Sequence, residues 1–235
     1  GQVRPDPIAV TNFYSADVNL SKLGENISAV VQADLERSGL FDPLNRDVFI
    51  QTEESLATEL PRFVDWRLGK ARFLVCGTIK SEDEERGVSV HLYLYDVITG
   101  QRMLSVSLSG DRLKWRKIAH MSADQIFSRV TNEKGFFNTQ MVYVETMGAR
   151  GKNIKKRLIR MDQDGENAEA LTDGKDLVLM PRYSPDGKLI AYLRYVGKSA
   201  QVHIADAATG KTAPYGDLNK LLKGFGEMTF APRFM

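Results

Sequence analysis

Few residues here have types and spacings that could do chemistry. The nearest approach to a serine nucleophile is Gly197-Lys198-Ser199-Ala200-Gln201. A hydrolase elbow needs Gly-x-Ser-x-Gly, because both glycines let the chain make the strained turn that projects the hydroxyl. Gln201 stands where the second glycine is required, so the segment reads as a loop between strands. His91, His120 and His203 are scattered, with no metal-ligand spacing among themselves or with Cys76; each reads as a half-buried or surface histidine. Cys76 follows Phe73-Leu74-Val75 and reads as a buried, inert thiol. Asp162-Gln163-Asp164-Gly165 begins like a calcium loop, but Asp173 replaces the glutamate required at its twelfth position, and its flanks read as strands. A hairpin turn accounts for it better. No catalytic, cofactor-binding or metal-binding set is expected, and no partner-contacting residues stand out.

Two charge runs could instead contact a surface. Arg150, Lys152, Lys155, Lys156, Arg157 and Arg160 form a basic stretch suited to phosphate or lipid head groups. It lacks the interleaved aromatics that stack bases, so the solvated face of a hairpin is the simpler account. Glu82-Asp83-Glu84-Glu85 reads as a solvated turn that also discourages edge pairing. The formal charge of +2 gives no general case for nucleic acid or an anionic membrane as partner. No apolar run approaches the roughly 20 residues of a membrane-spanning helix, and the lone cysteine permits no intrachain disulfide. Gly1-Gln2-Val3 looks like the interior of a mature chain from which a targeting segment has been removed.

The elements that would position these residues fall into two kinds. Up to Asn138 the pattern mixes helix and strand. Val3–Phe13 reads as a strand whose Pro5 and Pro7 fit an edge or a strand start. Leu23, Ile27, Val30, Val31 and Leu35 recur at helical spacing across Leu20–Arg37, with Gly39 as a left-handed cap and Phe41–Leu44 as the stop. Arg46–Gln51 is expected as a short strand and Pro61–Leu68 as a short helix. Arg72–Lys80, Val88–Ile98 and Arg102–Ser109 should form an antiparallel meander. A second helix, Lys114–Thr131, would help the first to cover one sheet face.

From Gln140 only strand and turn signals remain, at Met141–Met147, Lys155–Met161, Leu189–Tyr195 and Gln201–Ala205. Ser184-Pro185-Asp186-Gly187 is a turn signal, and Leu189–Tyr195 after it is apolar on both faces. Phe230–Phe234 repeats Met180–Tyr183 in type, and Asp162 and Asp206 stand 44 positions apart, close to the roughly 40–45 residues of a propeller blade. The expected fold is a mixed α/β amino-terminal domain, residues 1–138, followed by an incomplete all-β propeller segment, residues 139–235, holding about one blade and the start of the next.

Ala33–Phe41, Asp65-Trp66-Arg67, Leu74–Gly77, Tyr95–Gly100, Leu171–Gly174 and Pro181–Gly187 together resemble the TolB family, the periplasmic component of the Tol–Pal system of Gram-negative envelopes. The resemblance covers nearly the whole chain in the family's order and implies a six-bladed propeller after the first domain. It also implies a non-enzymatic adaptor, free of cofactors, that binds the Pal lipoprotein through the complete propeller and supports outer-membrane integrity and constriction at division. The chain stops where a second Ser-Pro-Asp-Gly would follow Phe234, so it is expected to be a fragment whose last ninety-odd residues pack poorly or associate with another copy. The family's TolA-binding segment is expected to precede Gly1, which leaves TolA and the other Tol proteins as partners of the family rather than of these residues. The alternative is the propeller portion of a serine hydrolase whose catalytic domain lies elsewhere.

Overall fold

The computed structural model describes residues 4–83, 86–148, 154–197 and 199–217. The chain divides into two compact units, Gly1–Asn138 and Thr139–Met235.

The first unit is built on a five-stranded sheet in the order β2-β1-β3-β4-β5, comprising Asp6–Val10 (β1), Phe41–Pro43 (β2), Phe73–Ser81 (β3), Gly87–Asp96 (β4) and Gln101–Asp111 (β5). β1 runs parallel to both β2 and β3, while β3, β4 and β5 form the antiparallel meander. β1 is therefore internal. Pro7 is tolerated at its second position, where the missing donor faces only the start of the ladder. Helices Val18–Arg37 (α1) and Trp115–Thr131 (α4) pack together on one face. They bury Ile27, Val31, Leu35, Ile118 and Ile126 against Val75, Ile79, Val90, Leu92 and Leu94. Strand alternation explains the rest, since β4 sends Val88, Val90, Leu92 and Leu94 to the helices and Ser89, His91 and Tyr93 to the other side. α1 starts where the Asp17 carboxylate accepts a bond from Asn19 N at 2.9 Å, and Gly39 takes φ +73° just past its end.

Two local expectations change. Arg46–Gln51 does not pair as a strand. Asn45 accepts a bond from Asp47 N at 3.0 Å and caps a 3-10 turn, Arg46–Val48. Phe49 then packs edge-on against Trp66, with ring centroids 5.0 Å apart. A short helix unread in the sequence, Glu53–Thr58 (α2), follows, capped by Thr52 Oγ1, which accepts from Ser55 N. With Phe63–Leu68 (α3) it covers the β1 end of the second sheet face around Leu56, Trp66, Leu74 and Tyr95. Among the described residues of this unit, no element covers the remainder of that face, on β4 and β5.

The described residues of the second unit form two unclosed sheets. Gln140–Met147 (β6), Lys155–Asp162 (β7) and Glu169–Ala170 (β8) form one. Leu177–Tyr183 (β9), Leu189–Val196 (β10), Ser199–Asp206 (β11) and Thr212–Asp217 (β12) form the other, in the order β12-β11-β10-β9. Leu158, Val178, Ile190, Tyr192 and Ala205 join in one cluster, each at most 1% exposed. The described part of this unit is thus packed across its two sheets rather than loose. The Ser184–Gly187 turn is tied by its own side chains. Ser184 Oγ donates to Asp186 Oδ1 at 2.6 Å and accepts from Leu189 N at 3.0 Å, while Gly187 takes φ +71°. Phe230–Phe234, the expected second copy of this motif, lies outside the described residues.

Candidate functional site

A concavity of about 590 Å³ lies over part of the second face of the first unit's sheet. Thr78 and Lys80 of β3, Ser89, His91 and Tyr93 of β4 and Ser107 of β5 form its floor. Tyr14 to Asp17 at the entry to α1, and Ala57 and Thr58 at the end of α2, form its walls. The volume suits a small molecule or a short segment of another chain. Its lining is rich in hydroxyls, with Lys80 and Asp17 as formal charges of opposite sign.

At the centre His91 makes two hydrogen bonds, Nε2 with Ser105 Oγ at 3.2 Å and Nδ1 with Ser107 Oγ at 2.8 Å. Its ring lies 4.7 Å from that of Tyr93, and the Arg102 guanidinium sits over the other ring, 5.6 Å from its centroid. A hydrolytic triad would place a serine on one imidazole nitrogen and a carboxylate on the other, to hold the tautomer that makes the base effective. Here both nitrogens meet serines, which makes a polar recognition surface rather than an activated nucleophile. Sequence reading missed this cluster because it depends on cross-strand register, His91 opposite Ser107 and Tyr93 opposite Ser105.

The structure separates the other candidate residues. Cys76 is buried on β3, and burial pushes its thiol up to about 12, far from the thiolate that nucleophilic chemistry needs. His120 is fully buried, contrary to expectation, and its Nδ1 lies 2.6 Å from the buried Asp34 carboxylate, joining α4 to α1. His203 is also buried, on β11, where burial first and Arg194 second lower its pKa. In the first unit, close to His120, Asp124 accepts bonds from Phe137 N at 2.7 Å and Asn138 N at 3.2 Å, securing the end of that unit. Burial raises its pKa against the effect of those bonds.

Ser199 opens β11, and Lys198 lies outside the described residues. The Asp162 turn is a hairpin turn. Asp162 Oδ2 takes a bond from Asn167 Nδ2 at 2.6 Å, and Asp164 Oδ1 one from Glu166 N at 3.1 Å. Asp206 makes the equivalent turn, accepting from Thr209 N at 2.7 Å. The basic run is distributed over β7, with Arg157 Nε 3.0 Å from Glu145 and Arg160 paired with Glu169. Arg150 and Lys152 lie outside the described residues. In the acidic run Asp83 Oδ1 accepts from Arg86 N and Gly87 N, each at 2.7 Å, and Glu82 accepts from Ser109 Oγ. Glu84 and Glu85 lie outside the described residues.

Among the described residues no helix is long and apolar enough to cross a membrane. Residues 1–103 match the model of the TolB amino-terminal domain and residues 127–235 that of the TolB beta propeller domain. The Tol-Pal system protein TolB of Paramagnetospirillum magneticum is 44% identical over 92% of this chain and 48% of its own length. That of Pelagibacter ubique is 38% identical over 98% of this chain and 51% of its own. The chain thus spans about half the length of these curated relatives. The crystal structure of TolB from Acinetobacter baumannii superposes with a TM-score of 0.75 at 25% identity, covering 91% of this chain and 50% of that one. The mixed α/β unit, the unclosed propeller sheets after it and the two successive domain matches together show that the chain belongs to the TolB family, as its amino-terminal domain and the first part of its propeller.

Proposed function

We propose that this chain is a non-enzymatic, protein-binding part of the Tol–Pal system, acting in the periplasm. The observation that carries this reading is the pairing of the TolB amino-terminal domain with TolB propeller sheets in one chain, matched in order along nearly its whole length. In the proposed mechanism the completed propeller presents one face to the Pal lipoprotein and the amino-terminal domain links to the inner-membrane Tol proteins, TolA among them. That coupling supports outer-membrane integrity and invagination at division. No contact with nucleic acid and no membrane span is part of the mechanism.

The physical support lies in preorganisation. The Ser184–Gly187 and Asp206–Gly210 turns are held by their own side chains, so little loop entropy is lost when a partner docks on the strand ends. In the first unit the groove over His91 and Tyr93 offers a preformed polar surface to a partner's segment. The alternative, a propeller-bearing serine hydrolase, draws no support from His91, whose two nitrogens are both occupied by serines.

A titration of soluble Pal against residues 1–235, and against the same chain extended through the rest of the propeller, tests the proposal. Binding by the extended chain alone is expected, because most of the receiving face would come from later blades. If neither folded protein binds Pal, the assignment of this partner fails.

A further inference from the structure

β5 ends the first sheet, and among the described residues its outer edge has no strand partner. Open edges are usually guarded by inward charges, lysines, prolines or bulges. β5 carries one bulge, near its start at Met103, and its only charges are Arg102 and Asp111 at its two ends. At Met103 the carbonyl is also occupied, accepting from Arg129 Nε at 2.7 Å. From Leu104 to Leu108 β5 carries no charge, proline or bulge, while beyond it Ser109 Oγ donates to Glu82. Leu104, Val106 and Leu108 lean toward the helix-covered core, while Ser105 and Ser107 are exposed on the open face.

Leu104-Ser105-Val106-Ser107-Leu108 reads the same in both directions. A twofold contact needs that property, since residue i of one copy meets j of the other while j meets i. Placing the axis at Val106 sets Val106 against Val106, Leu104 against Leu108 and Ser105 against Ser107 of the second copy. Apolar side chains then share the helix side and hydroxyls the other. At each end of the seam Arg102 of one copy approaches Asp111 of the other, a complementary pair of charges.

We infer that β5 is a self-association edge, on which a second copy of this chain docks antiparallel to join the two sheets into one. The seam is short, so the dimer belongs to the weak, transient class of interfaces, and it would double the partner sites presented by one assembly.

Sedimentation equilibrium of residues 1–235 across a wide concentration range, up to roughly 1 mM, tests the inference. A reversible monomer–dimer equilibrium is expected, and a monomer throughout overturns the inference. Ser105→Lys with Ser107→Lys puts like charges opposite each other across the seam and should weaken the dimer at least about tenfold, as one decade corresponds to about 1.4 kcal/mol. Ser105→Lys with Ser107→Glu loses the same contacts to His91 but places opposite charges across the seam, and should restore association. Persistence of the dimer in the double-lysine variant would locate association elsewhere, such as the open sheets of the second unit, and overturn the inference. Register is read separately. Val106→Cys should oxidise to a covalent dimer, because facing Cα atoms roughly 4.5–5.5 Å apart suit a disulfide. Ser107→Cys should not, because its own symmetry mate lies on the diagonal. The reverse result refutes this pairing.

Discussion

The two units solve the problem of covering a sheet in different ways. In the first, α1 and α4 cover one face with a core that runs from Ile8 to Phe137, while α2 and α3 cover part of the other. The elements that bury the covered parts of that sheet all lie within the same unit. In the second, among the described residues, the buried cluster lies where the two sheets meet, around Leu158, Val178, Ile190 and Tyr192. Helix-covered sheets complete themselves locally, whereas propeller sheets depend on the next repeat for a face of their own. The difference makes the first unit's core independent of the neighbouring repeats that a propeller sheet requires.

The largest test of this contrast is a matched pair of core truncations. Leu94→Ala in the first core should cost about 2–5 kcal/mol, because Leu94 is fully buried. It should lower one unfolding transition while leaving the other in place. Ile190→Ala, equally buried, should lower the other transition. A single transition shifted equally by both variants, followed by near-UV circular dichroism in urea, would show that the two units unfold as one.

A second test uses the close approach of α1 to the chain after β1. A Cβ added at Gly24 would lie 2.1 Å from the Phe13 carbonyl oxygen and 3.2 Å from Ile79 Cγ2. Alanine is favoured over glycine in a helix interior by about 1 kcal/mol. Backbone must move to admit the methyl group, and overpacking of this kind costs about 1–3 kcal/mol. Gly24→Ala should therefore destabilise the first unit despite its better helix propensity. A raised melting temperature would show that α1 is free to shift outward.

Much of this architecture was legible in the sequence, and the reasons are local. α1 and α4 announce themselves by apolar spacing, the meander by alternation between turns, and the Ser184–Gly187 turn by residues that supply its internal bonds. The misses share the opposite property. β2 has only three residues, and its role comes from parallel pairing with a strand far away in sequence. Arg46–Gln51 is expected as a strand, but the contact of Phe49 with Trp66 and the Asn45 cap decide otherwise. The His91 cluster needs cross-strand register, and the burial of His120 needs the meeting of α1 with α4. No periodicity within one segment carries that information.

The buried histidines extend the comparison to single hydrogen bonds. In the first unit His120→Ala removes a donor to the buried Asp34, and should cost about 1–3 kcal/mol in chemical denaturation. Retention of full stability would mean that solvent or another group replaces the lost partner.

The smallest effect belongs to the second unit and depends on pH. Burial lowers the pKa of His203, so the native state favours the neutral ring. The unfolded chain takes up the proton first, near pH 6.5. It thus binds more protons than the native chain between that value and the lowered native one, and stability must fall as pH drops through this window. Above it the group contributes no slope. His203→Gln should flatten the acid limb of the second unit's stability profile without altering that of the first. If the limb keeps its slope in the variant, the acid sensitivity of the propeller sheets has another source, and the carboxylates of their turns become the groups to replace next.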